Sequence, residues 1–303
     1  MADKVWRAFG QIDNYVEPFF GSGAVLLLSP YTCRTETVND ADGFVSNFWR
    51  ALAHDPEGLA HHADWPVNEN DLHARHAWLV TQRETLTARL EGDPDFFDVK
   101  IAGWWVWGIA CWIGSGWCSG KGPWQQINGL LVNTGNAGRG VKRKLVHLGD
   151  AGRGVNRKLE GLEEYFGELS ARLRGVRVCC GDWSRVCGPT PTTKQGVTGI
   201  FFDPPYSEDA DRDMNLYAKE CGSVAHDVRR YCIERGDDPK MRIVLCGYEG
   251  EHNELERHGW TVEAWKAAGG YGLQGSERGR ENSARERIWY SPHCVRNQAG
   301  LFA

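Results

Sequence analysis

The chain has 303 residues, 41% hydrophobic and 25% charged, an ordinary globular balance that excludes wholesale disorder. Lys+Arg 35 against Asp+Glu 40 gives a net charge of −5, which argues against a uniformly basic nucleic-acid coat. The average conceals an asymmetry: between Gly135 and Glu160 seven cations (Arg139, Lys142, Arg143, Lys144, Arg153, Arg157, Lys158) stand against two anions (Asp150, Glu160), so that window carries +5 and the remainder −10.

Along the chain, Asn14–Glu17 reads as a short strand ending at Pro18, Phe19–Gly23 as a glycine turn, and Ala24–Leu28 as the start of an apolar helix. Glu36–Asn39 reads as a second strand ending in Asp40, and Phe44, Phe48 and Leu52 then recur at helical spacing. Strands alternating with helices predict a parallel α/β sheet. The pattern then changes. Glu69–Leu90 is mostly helical, and Ile101–Gly120 is a run of 20 uncharged residues holding five Gly and five Trp. Its length suits a bilayer span, but its glycines and its isolation in a polar chain favour a buried helix running into a Gly-rich aromatic loop. From Gly135 a segment repeats: Gly135–Leu145 returns fourteen residues later as Gly149–Leu159, two equivalent basic loops. A helix over about 160–174 leads back to strand-like material at Val176–Cys180, Val197–Phe202, Arg242–Cys246, Thr261–Trp265 and Arg287–Tyr290, with a helix over Met214–Glu234. The ten cysteines are scattered without a Cys-x-x-Cys pair, which argues against a zinc site and a disulfide framework and for a reducing, cytoplasmic setting.

Three places carry chemistry. Glycines just past a strand let a ligand approach the backbone, and the next helix N-terminus favours negative charge. Phe19-Phe20-Gly21-Ser22-Gly23 fits that use but lacks the third glycine of the dinucleotide fingerprint. Asp40, 19 residues after Gly21, stands where a carboxylate accepts ribose hydroxyls, and equally where one caps a helix. Asp203-Pro204-Pro205-Tyr206 is the strongest signal. Its prolines end a strand and remove two N–H donors, leaving acceptors beside an aromatic ring. Acceptors beside a stacking face suit a planar base with an exocyclic amino group. The basic repeat reads as phosphate contacts, while the tryptophans read mostly as core, with Trp117 and Trp124 in the Gly-rich stretch as the exceptions expected to contact DNA bases.

Taken together, Tyr15–Val25, Asn39-Asp40, Asn47–Trp49 and Asp203–Tyr206 resemble the Dam-like N6-adenine DNA methyltransferases. Cys180-Gly181-Asp182-Trp183 looks like the family's turn that holds the cofactor adenine, and Ile243–Tyr248 and Arg285–Pro292 look like its later strands. The resemblance implies an α/β, Rossmann-like S-adenosylmethionine-dependent methyltransferase sheet in the α order, formed by residues 1–55 and 176–303, with a mainly helical target-recognition domain inserted at 56–175. It implies cofactor binding by Pro18, Phe19, Phe20, Gly21, Ser22, Gly23, Asn39, Asp40, Asp182 and Trp183, and catalysis by Asp203, Pro204, Pro205 and Tyr206. The activity implied is transfer of a methyl group from S-adenosylmethionine to N6 of an extruded adenine in double-stranded DNA, directly and in line, with no metal. The family's N-terminal Lys-Trp-x-Gly-Gly-Lys stretch, which helps hold the methionine end, is only poorly echoed by Lys4, Trp6 and Gly10. A cytosine-N4 or RNA amino methyltransferase shares this chemistry, and a catalytically inactive DNA-binding relative shares the fold.

Overall fold

The computed structural model describes residues 1–112, 117–118, 161–205, 224–265 and 285–295 throughout, and residues 124–127 and 130–133 as backbone. It opens with a helix not among the elements expected above. This is α1 (Ala2–Phe9), which buries Val5, Trp6 and Phe9 at helical spacing. Next come β1 (Asn14–Glu17), α2 (Ala24–Leu27), β2 (Thr35–Asp40) and α3 (Gly43–His54), within about a residue of their expected positions. Four further helices follow: α4 (Pro56–Ala63), α5 (Glu69–Gly92), α6 (Val99–Cys111) and α7 (Leu162–Leu173). Between α6 and α7 lies an antiparallel pair, β3 (Trp124–Ile127) and β4 (Leu130–Asn133). The chain continues through β5 (Val176–Cys180), β6 (Thr198–Phe202), α8 (Val224–Arg235), β7 (Met241–Tyr248), β8 (Thr261–Ala264) and β9 (Glu286–Tyr290).

Seven of the strands form one mixed sheet in the order β5-β2-β1-β6-β7-β9-β8. β5, β2, β1, β6 and β7 are mutually parallel, whereas β9 runs against both β7 and β8. The parallel sheet expected from the sequence is thus mostly parallel and mixed at its β8 end, an arrangement common among large α/β sheets. This α/β architecture is compatible with a Rossmann-like fold.

Alternation along the central strands feeds two apolar layers. Tyr15, Phe201, Val244, Cys246 and Ile288 pack on the side of α1, α2 and α3. Val16, Ile200, Phe202, Ile243, Leu245 and Trp289 pack on the other side against Val228 and Cys232 of α8. Helices α4 to α7 join the first layer through α3, with Leu59, Ile101 and Phe166 in the same apolar cluster as Phe48 and Tyr15. An ion pair between half-buried Arg172 and buried Glu36 fastens α7 to the sheet. Arg172 grips Glu36 of β2 with both arms, Nη1 to Oε2 at 2.7 Å and Nη2 to Oε1 at 2.9 Å. Among the described residues no helix is long and apolar enough to cross a membrane.

Candidate active site

The chain leaves β1 toward β2 and β5 on one side, then returns to place β6 on the other side of β1. The order reverses between β1 and β6, and open α/β sheets bind ligands in the crevice outside the carboxyl ends of the strands at such a point. The ends that border this crevice are Glu17-Pro18 of β1 and Phe202-Asp203 of β6, with Asp40 of β2 one strand away.

The glycine turn follows directly from β1. Gly21 and Gly23 have φ of +45° and +66°, a region costly for residues with a Cβ. Their surroundings differ. Among the described residues a Cβ on Gly21 would meet nothing within 4 Å, whereas one on Gly23 would lie 2.7 Å from Phe20 Cζ. Gly21 thus presents bare backbone to open space, and Gly23 is the glycine that lets the turn pack. Pro18, Phe20 and Gly23 are buried, while Phe19 and Ser22 are half-buried and Gly21 is exposed. Of the six expected cofactor residues here, Phe19, Gly21 and Ser22 therefore retain accessible surface, and the other three support them.

Asp40 is not the cap of α3. That role falls to Asp42, whose Oδ1 accepts the Phe44 N–H at 2.9 Å. Asp40 instead accepts the Gly21 N–H on Oδ2 at 2.9 Å and the Asp42 N–H on Oδ1 at 2.8 Å. Asn39, 1% exposed, ties together the loops after β1 and β5. Its Nδ2 donates to the Pro18 carbonyl at 3.1 Å and to the Gly181 carbonyl at 3.0 Å. Asn39 accordingly positions the crevice from beneath. The third loop, Gly181-Asp182-Trp183, is drawn to the same edge, with the Gly181 N–H on the Asp40 carbonyl at 3.1 Å. Asp182 is exposed, and its Oδ1 accepts the Ser184 N–H at 2.9 Å. The Trp183 ring lies 6.3 Å from Phe19 and 5.8 Å from Phe202, forming an aromatic wall.

Carboxyl groups end three adjacent strands: Asp40 on β2, Glu17 on β1 and, just past β6, Asp203. Burial pushes Glu17 well above the usual carboxylate range, and the charges of Asp203 and Asp40 add to this. The Tyr15 hydroxyl donates to Glu17 Oε2 at 2.7 Å and opposes that shift only in part. Burial likewise pushes Asp40 up to about 7, against the pull of the N–H groups that it accepts. Glu17 was not among the expected site residues. Its signal was an acid as the last residue of a short strand, directly before Pro18 and the glycine turn.

Asp203 is exposed at the rim of the crevice, Pro204 is buried beneath it and Pro205 is half-buried. Tyr206 and the cations Arg139, Lys142, Arg143, Lys144, Arg153, Arg157 and Lys158 lie outside the described residues. Trp124 lies on β3, its side chain outside the described residues. Trp117 is half-buried, with its indole N–H donating to the Trp105 carbonyl at 3.0 Å and its ring packed over Gly108. Trp105, Trp107 and Trp112 are buried. The poor N-terminal echo has a structural explanation. Lys4 pairs with Glu263, and Trp6 is buried behind β1, stacked on Tyr15 at 5.0 Å and donating to the Val25 carbonyl at 2.8 Å. Trp6 thus supports the start of α2 just past the glycine turn, and Lys4 is engaged at the β8 edge of the sheet. No protein-family model matches the chain, and no curated protein is significantly similar to it.

Proposed function

We propose that the chain is an S-adenosylmethionine-dependent DNA methyltransferase acting on N6 of adenine, as its resemblance to the Dam-like enzymes implies. The observation that carries this reading is the convergence of the glycine turn, Asp40, the Asp182-Trp183 turn and Asp203 on one crevice at the strand-order reversal.

The crevice suits the cofactor on three counts. The open space before Gly21 admits a ligand against bare backbone. The carboxyl groups of Asp40 and Asp203 favour a ligand carrying positive charge, and Asp40 stands where ribose hydroxyls find an acceptor. The exposed Asp182 carboxylate beside the Phe19–Trp183 wall offers an acceptor next to a stacking face for the adenine. When bound, the cofactor supplies an activated methyl group on a sulfonium.

The chain's own part is positioning and electrostatics. Asp203 and the Pro204 carbonyl would each accept an N–H from the exocyclic amino group of the target base, turning its nitrogen lone pair toward the crevice. Forming the new C–N bond would break the methyl–sulfur bond and require that nitrogen to lose one proton, for which the Asp203 carboxylate would be the acceptor at hand. The resemblance gives Tyr206 the role of stacking on the base and gives the basic repeat the role of holding the duplex.

The test is incubation with unmethylated duplex DNA and methyl-labelled S-adenosylmethionine, followed by digestion to nucleosides. The expected label is in 6-methyladenine. Label in 4-methylcytosine would keep the chemistry and change the base, and cofactor binding without any transfer would favour an inactive DNA-binding relative.

A further inference from the structure

The turn that fronts the crevice is fastened from behind by Trp49 of α3, which sequence reasoning placed in the family pattern but gave no role. Trp49 is 1% exposed and donates its indole N–H to the Gly21 carbonyl at 3.1 Å. Its ring lies 4.8 Å from that of Phe20, and its Cζ2 atom would be 3.1 Å from a Cβ on Gly23. One buried side chain therefore contacts three residues of the turn. From the other side, Asp40 holds the Gly21 N–H. Gly21 is clamped at both its amide and its carbonyl.

A trans peptide is planar, so its C=O and the following N–H point in opposite directions. With the Gly21 carbonyl turned inward to Trp49, the Ser22 N–H is turned away from the core. Among the described residues that N–H has no hydrogen-bond partner. A half-buried donor held in a fixed direction beside open space is suited to an anionic group.

We propose that Trp49 is a positioning residue: it fixes the Gly21–Ser22 peptide so that the Ser22 N–H meets the carboxylate of the cofactor's amino-acid end. This rests on the cofactor reading above. It also supplies a donor for the end of the ligand that Lys4 and Trp6, engaged elsewhere, do not hold.

The experiment compares binding of S-adenosylmethionine and of 5′-methylthioadenosine, which lacks the carboxylate, by calorimetry. The proteins are the wild type, Trp49→Phe and Trp49→benzothienylalanine, the last an isostere without the N–H. Trp289→Phe is the control, because Trp289 is equally buried on the opposite face of the sheet and its indole N–H has no partner among the described residues. Loss of one hydrogen bond is expected to weaken S-adenosylmethionine about fivefold to tenfold, with methylthioadenosine and the control unchanged. Should Trp49→Phe fail to fold, the isostere decides. Equal weakening of both ligands, or of neither, overturns the proposal and leaves the cofactor reading intact. Failure of the wild type to bind S-adenosylmethionine overturns both.

Discussion

Asp40 Oδ2 accepts the Gly21 N–H at 2.9 Å, so the end of β2 sets the conformation of the turn that follows β1. The same carboxyl is pushed by burial from 3.8 up to about 7. An ionised Asp40 accepts hydroxyl donors better than a protonated one, so cofactor affinity is expected to rise with pH through about 7 and then level off. Stability runs the other way. The folded state keeps a proton that the unfolded chain releases above 3.8, so this group's contribution falls as pH rises toward 7. Asp40→Asn removes that penalty. It should therefore hold or raise the melting temperature at pH 7.5 while weakening cofactor binding at least about tenfold, the cost of a lost charged acceptor. A parallel loss of melting temperature and affinity would contradict this assignment.

The two glycines of the turn separate strain from access. Gly21→Ala meets an unfavourable φ but open space, for a stability loss of about 1 kcal/mol. Its methyl group would, however, stand where a ligand approaches. Gly23→Ala drives a methyl to 2.7 Å from Phe20 and 3.1 Å from Trp49, so its stability loss should be the larger. Urea unfolding with calorimetric binding distinguishes them: binding falls first in the one, stability in the other.

Arg172→Met leaves Glu36 buried without its bidentate partner, and an uncompensated buried charge costs about 3–5 kcal/mol. Replacing both residues by methionine should recover most of that loss. Urea midpoints of the single and double variants check the sign. A double variant no more stable than the single one would show that the pair itself, rather than the stranded carboxylate, carries the stability.

Much of the sheet was legible in the sequence because its strands are short, rich in β-branched or aromatic residues, and several end at a chemically distinctive residue: Glu17-Pro18, Asp40, Gly181, Asp203-Pro204. The adjacency of these ends was not legible. It follows from strand order, which only the non-local pairing of β1 with β6 and of β2 with β5 reveals. The roles within the glycine turn were equally hidden, since nothing in Phe19–Gly23 says which residues face inward until Trp49 and Asp40 close on it. Other signals were present but unused. Val5, Trp6 and Phe9 mark α1, Asp55-Pro56 begins α4 with a capping side chain, and Asn128-Gly129 separates β3 from β4 by the two residues typical of a tight hairpin.

The most direct measurement of the central claim compares the wild type with Asp203→Ala at saturating labelled S-adenosylmethionine and unmethylated duplex DNA, with cofactor affinity measured in parallel. Asp203 is exposed at the rim, so its loss should leave the fold intact, while removing one of the carboxylates that face the cofactor's positive charge should weaken its binding about twofold to fivefold, which saturating cofactor offsets. Removing a placed acceptor at the reacting nitrogen should lower turnover by at least about a hundredfold. Label accumulating in 6-methyladenine with the wild type and not with the variant, at equal cofactor occupancy, is the predicted result. Transfer by Asp203→Ala at a near-wild-type rate would contradict the assignment of Asp203 to the reacting amino group.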